Sequence, residues 1–100
     1  MTHFIDLTPI RARKNPKPGQ LQVWWIPQVP GKPFTVDVET IKESKLVLKT
    51  LERYDIFQFK QRIKPAYSNA GGLRVWREHD KDWEDWYDED GLDIDHTKSL

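Results

Sequence analysis

Between Glu78 and Asp95 the chain sets Glu78, Asp80, Asp82, Glu84, Asp85, Asp88, Glu89, Asp90, Asp93 and Asp95 against one cation, Lys81. Carboxylates at that density suggest two kinds of chemistry, cation binding and acid–base catalysis. A calcium loop of the EF-hand type needs oxygen ligands at positions 1, 3 and 5, glycine at 6 and a carboxylate at 12. With Gly91 at position 6, Asp88 and Asp90 fall at 3 and 5, but Trp86 stands at 1 and Thr97 at 12. The motif fails at two essential places. Glycosidic hydrolysis needs one carboxyl kept protonated by burial, whereas so polar a run reads as solvated turns.

The other reactive side chains form no constellation. His3, His79 and His96 are far apart, with no metal-ligand spacing among them. Ser44, Ser68 and Ser99 stand beside no histidine, and no nucleophile-elbow pattern occurs. The chain has no cysteine, which excludes disulfides and thiolate metal sites and fits a reducing compartment. Gly71-Gly72 alone reads as a turn, not a phosphate-binding loop. The expectation is a non-enzymatic protein with no metal and no cofactor.

Tryptophan is the remaining carrier of function. Trp24, Trp25, Trp76, Trp83 and Trp86 could stack on bases, and Arg11, Arg13, Lys14 and Lys17 could contact phosphate. The aromatic-rich segment is the acidic one, however, where a polyanion is repelled, and nucleic acid is the disfavoured partner. Protein binding suits the pattern better, because tryptophan and tyrosine are enriched at binding hot spots. The candidate binding residues are Trp76, Trp86, Asp85, Asp88, Trp24 and Trp25. In a hairpin, alternation sets Trp76 and Trp86 opposite Leu73, Val75, Trp83 and Tyr87. Either that second face displays its tryptophans, or the sheet buries both faces.

The elements that position these residues follow from punctuation and periodicity. Residues 1–13 alternate weakly and suggest a short strand before the breaker Asn15-Pro16-Lys17-Pro18-Gly19. Leu21 to Ile26 and Phe34 to Val38 read as antiparallel strands joined by a proline-rich loop. Thr40-Ile41-Lys42-Glu43 matches a capping box. Val47, Leu48, Leu51 and Tyr54 then make the apolar stripe of a helix from about Thr40 to Arg53. Phe57 and Phe59, alternating with Gln58 and Lys60, suggest a short strand, and Asn69 to Gly72 a loop. Leu73–Glu78 and Trp83–Tyr87 form a hairpin, with Leu92-Asp93-Ile94 adding a final short pairing. The predicted fold is α+β, a small antiparallel sheet of about four to five strands packed against one amphipathic helix. Residues 1–95 form a single domain and 96–100 a frayed tail.

Composition sets the bounds. One hundred residues make one domain, and 12% aromatics let so short a chain build a core. Net charge is zero, but a basic head (Arg11, Arg13, Lys14, Lys17 and Lys32 against Asp6) faces the acidic tail. The two ends attract each other within one fold or face two partners, and pairing between copies offers a route to a homo-oligomer. No apolar run approaches the roughly 20 residues of a membrane span, and no signal peptide opens the chain. A cytoplasmic protein is expected.

Four stretches taken together carry a resemblance: Thr8 to Pro16, Leu21 to Pro30, Tyr67 to Leu73 and Trp83 to Gly91. Trp24-Trp25 and Trp83-Glu84-Asp85-Trp86-Tyr87 are rare strings by chance. The chain resembles, over about residues 4–95, short proteins of lambdoid phages and prophages described as superinfection exclusion proteins. The resemblance implies a phage accessory protein of the host cytoplasm that imposes exclusion or helps a phage avoid it. It supplies no catalytic residue. The function expected is binding of a host or phage protein through the aromatic, acidic hairpin, with single-stranded nucleic-acid binding as the alternative.

Overall fold

β-branched and aromatic residues alternate along Leu21–Ile26 (β1) and Phe34–Val38 (β2), and the two strands pair antiparallel with Val23 opposite Val36. Their arrangement comes from a computed structural model that describes residues 15–64 and 68–99. The strand expected in residues 1–13, the cations Arg11, Arg13 and Lys14, and Pro65 lie outside the described residues. The helix α1 (Ile41–Lys60) follows β2, and Ala70–Arg77 (β3) and Asp82–Asp85 (β4) complete one antiparallel sheet of order β2-β1-β3-β4. The fold is α+β, as the pattern predicts: one helix lies across β1, β2 and β3.

Val23, Val38, Leu73 and Ile94 form the buried centre, with Leu21, Val36, Ile41, Val47, Leu48, Leu51 and Trp86 packed around it. Direct cross-strand partners share a face. One face therefore carries Leu21, Val23 and Trp25 with Val38, Val36, Phe34, Val75, Leu73 and Gly71, and α1 covers it. Gln22, Trp24, Arg74, Trp76, Trp83 and Asp85 belong to the opposite face.

The helix begins where the capping box sets it. Thr40 Oγ1 accepts from Glu43 N at 3.0 Å, and the Glu43 carboxylate accepts from Glu39 N at 2.7 Å, one residue before the cap. It ends later than expected. Phe57 to Lys60, expected as a strand, are the last turn of α1. The helix closes in a Schellman motif, with Ile63 N donating to Gln58 O (2.9 Å) and Arg62 N to Phe59 O (3.1 Å). Arg62 takes the left-handed conformation there, φ 59°. Tyr54, expected in the core stripe, is exposed; Asp55 takes the inward position beside Leu51. The Asp55 carboxylate is buried and accepts from Lys64 and Asn69, while Lys64 also reaches the Pro27 carbonyl. Pairing and hydrogen bonds offset the cost of taking these charges out of water.

Two further expectations change. Gly71 and Gly72 lie inside β3, not in a loop. A Cβ on Gly71 would stand 2.3 Å from Trp25 Cε3, and one on Gly72 would stand 2.9 Å from Trp24 Nε1. Each indole lies across the glycine opposite it in the register, Trp25 over Gly71 on one face and Trp24 over Gly72 on the other. The hairpin is also shorter at its far end: β4 stops at Asp85, and Trp86 N makes one more bond, to Leu73 O at 3.0 Å.

Beyond Trp86 the chain turns instead of adding a strand. Asp88 Oδ1 accepts from Asp90 N (2.8 Å) and Leu92 N (2.9 Å), and Asp88 Oδ2 accepts from the Thr97 hydroxyl. The Thr97 bond first, then that from Leu92, holds the Asp88 carboxyl below the usual carboxylate range. Asp93 likewise accepts from the backbone of Asp95 and His96 and lies 2.7 Å from His96 Nδ1. The His96 contact lowers the Asp93 pKa and raises that of His96. These turns press Ile94 into the core and bury Thr97, whose carbonyl accepts from Lys45 at 2.9 Å. The expected frayed tail began one residue before Thr97.

Candidate interaction face

On the sheet face away from α1, one row of side chains crosses all four strands. Asp37 on β2, Gln22 on β1, Arg74 on β3 and Asp85 on β4 are direct neighbours in the register. Buried Gln22 links them: its Nε2 donates to Asp37 Oδ1 (2.9 Å), and its Oε1 accepts from Arg74 Nε (2.7 Å) and Nη2. With its guanidinium held in this way, Arg74 lies 4.8 Å from the centre of the Trp83 ring, a cation–π contact. Trp83 meets Trp76, its cross-strand partner, edge to face at 5.4 Å. Burial draws the Arg74 pKa below its ordinary value, against the fields of Asp82 and Asp37, and an arginine so placed stays charged.

Trp24 lies in the next row, flat over Gly72, and between Trp24 and Trp83 the surface dips. The depression, about 270 Å³, is lined by Trp24, Ile26, Pro33, Arg74, Trp83, Glu84 and Asp85. Its walls are indole and its rim is carboxylate. Glu84 is paired with Arg77 at 3.1 Å across the hairpin. At the hairpin's end Lys81 and, after it, Trp76 Nε1 (3.2 Å) donate to Glu78 and hold its carboxyl below the usual range. Trp24, Trp76 and Trp83 are each half-buried, and α1 occupies the other side of the sheet.

The six residues expected to bind do not all meet here. Trp24, Trp76 and Asp85 share this face. Trp25 is buried on the helix side, Trp86 packs against the core, and both Asp88 oxygens serve their own loop. Trp83 and Arg74 belong to the face but were not expected there. The hairpin reading set Trp83 with Leu73 and Val75, whereas the register makes it the partner of Trp76. Parity decides this, because a shift of one residue sends every side chain to the other face. A cross-strand Trp–Trp pair was the available signal for the right register.

Among the described residues no cluster of three or more histidine or acidic side chains could hold a metal ion, and no helix is long and apolar enough to cross a membrane. Comparison with known proteins identifies the lineage. A family model described as "Superinfection exclusion gene product 17" matches residues 20–100. The chain is similar to the superinfection exclusion protein of Salmonella phage P22, at 42% identity over 81 residues, covering 70% of this chain and 79% of the relative. No solved structure matches.

Proposed function

The chain belongs to the superinfection exclusion gene product 17 family, and from that premise we propose that it acts by binding a protein through the open sheet face, without catalysis. The observation that carries this reading is the set of Trp24, Trp76 and Trp83, gathered half-exposed around Arg74 on the side of the sheet that α1 leaves free. Aromatic and arginine side chains that already hold one another in place lose little freedom on binding, and such groups dominate interface energetics.

The depression beside Arg74 fits one apolar or aromatic side chain of a partner, and Glu84 and Asp85 favour basic residues around it. The same carboxylates oppose a nucleic-acid backbone. The partner is a host or phage protein in the host cytoplasm, and the outcome is exclusion of a second phage or its avoidance.

A Trp76→Ala, Trp83→Ala double variant tests the proposal. Each indole at a hot spot is worth about 2 kcal/mol, so partner affinity falls by at least about 100-fold. Plating efficiency of a superinfecting phage on cells expressing the variant should return to that of cells without the protein, with the circular-dichroism melt still cooperative. A folded double variant with full effect on plating sinks the reading. Salt-sensitive retention of single-stranded DNA by the wild type, lost in the variant, would replace it with the nucleic-acid alternative.

A further inference from the structure

Down the outward side of α1 runs a second surface that the sheet face does not use. Lys42, Leu46, Lys49, Arg53, Phe57 and Lys60 follow one another at steps of three and four, which keeps them on one stripe. The stripe lies opposite Ser44, Val47, Leu51 and Asp55, which face inward, and all six of its residues are exposed. Glu43 and Glu52 flank it, but no carboxylate belongs to it. Among the described residues none of its four cations takes part in an ion pair.

Among the described residues, its two apolar members take no part in the core. Leu46 is 66% exposed and Phe57 53%, and among the described residues Phe57 stacks on Tyr54, itself 58% exposed, at 6.5 Å. Exposed helix positions are served equally well by alanine, lysine or glutamate, so packing does not call for leucine and phenylalanine there.

We infer that this stripe seats the protein on an anionic lipid surface, with α1 lying in the plane of the headgroups. Charge complementarity and the apolar pair argue for it together. Four unpaired cations match anionic headgroups, and long lysine and arginine stems can lie along the interface while Leu46 and Phe57 enter the acyl boundary. A phosphate backbone or an acidic protein would engage the cations but would give an isolated leucine and phenylalanine much less. A single convex helix face suits a plane better than a groove. The contact is peripheral, since no described helix could span a bilayer. It is also independent of the sheet face: the stripe is on the far side of the helix, so either surface can fail its test without the other.

The test is co-sedimentation of the full chain with vesicles of phosphatidylcholine alone or mixed with phosphatidylglycerol. Binding is expected to the anionic vesicles only, and to weaken as salt rises. A Lys49→Gln, Arg53→Gln variant should bind about 30-fold more weakly, at roughly fivefold per cation. A Leu46→Ser, Phe57→Ser variant should lose about tenfold or more while keeping the wild-type circular-dichroism melt. Sensitivity to both variants supports lipid insertion. The inference is overturned if anionic vesicles do not retain the wild type, or if retention survives the serine variant. Duplex DNA or a second copy captured by the same cations, with no vesicle binding, also overturns it.

Discussion

Trp24 and Trp25 lie in opposite directions from β1, and each needs a neighbour on β3 without a side chain. Gly72 and Gly71 provide it, so the Trp-Trp and Gly-Gly strings form one feature written in two places. The two contacts differ in give. Trp25 is buried against the helix side, and a Cβ on Gly71 would fall 2.3 Å from its ring. Trp24 is half-exposed and can swing outward. Gly71→Ala should therefore destabilise the fold by about 2 kcal/mol, the cost of overpacking a filled site. Gly72→Ala should cost less and should alter Trp24 fluorescence more. Urea denaturation of the two variants, followed by circular dichroism, separates them; equal midpoints would mean that Trp25 is not clamped by this contact.

At the scale of elements, the signals that proved reliable were local ones. The capping box at Thr40 marked the start of α1, and alternation between prolines marked β1 and β2. The end of α1 was not legible, because the position after the cap carries Arg62 where glycine usually permits the left-handed turn. Without that stop, Phe57-Gln58-Phe59-Lys60 looked like a strand. The same residue makes the helix end improvable. Arg62→Gly should stabilise the protein by about 1 kcal/mol by removing the Cβ clash of the left-handed conformation. Arg62→Ala, which keeps the Cβ, should show none of that gain. A urea midpoint raised by both substitutions alike would assign the gain to the lost charge. The face of Trp83 was illegible for a different reason: it depends on turn length, and alternation within each strand does not set the register between them. Of the candidate site, Trp24, Trp76 and Asp85 were readable from residue type, while Arg74 needed Gln22, far away in sequence, to hold it over an indole.

For the whole molecule, the question is how so small a domain closes its core. α1 covers one side of the sheet, yet β4 is short, and the helix-side face of β3 beyond it would be open to water. The segment after Trp86 closes that gap. Its acidic residues, which as a bare sequence suggest metal binding, act through Asp88 and Asp93 as turn-forming acceptors that fold the chain back and drive Ile94 inward. The C-terminal segment is then part of the core. Ile94→Ala should cost about 3 kcal/mol, the range for truncating a buried isoleucine, and lower the melting temperature by roughly 15 °C for a domain of this size. Leu92→Ala, two residues away in the same turn but exposed, should stay within about 0.5 kcal/mol of wild type. Calorimetry on the pair makes the distinction. If Ile94→Ala melts like Leu92→Ala, the segment only rests on the sheet. If it melts far lower, the carboxylate-rich tail holds the fold together from its last turns, and the tryptophan face is displayed on a sheet that this tail completes.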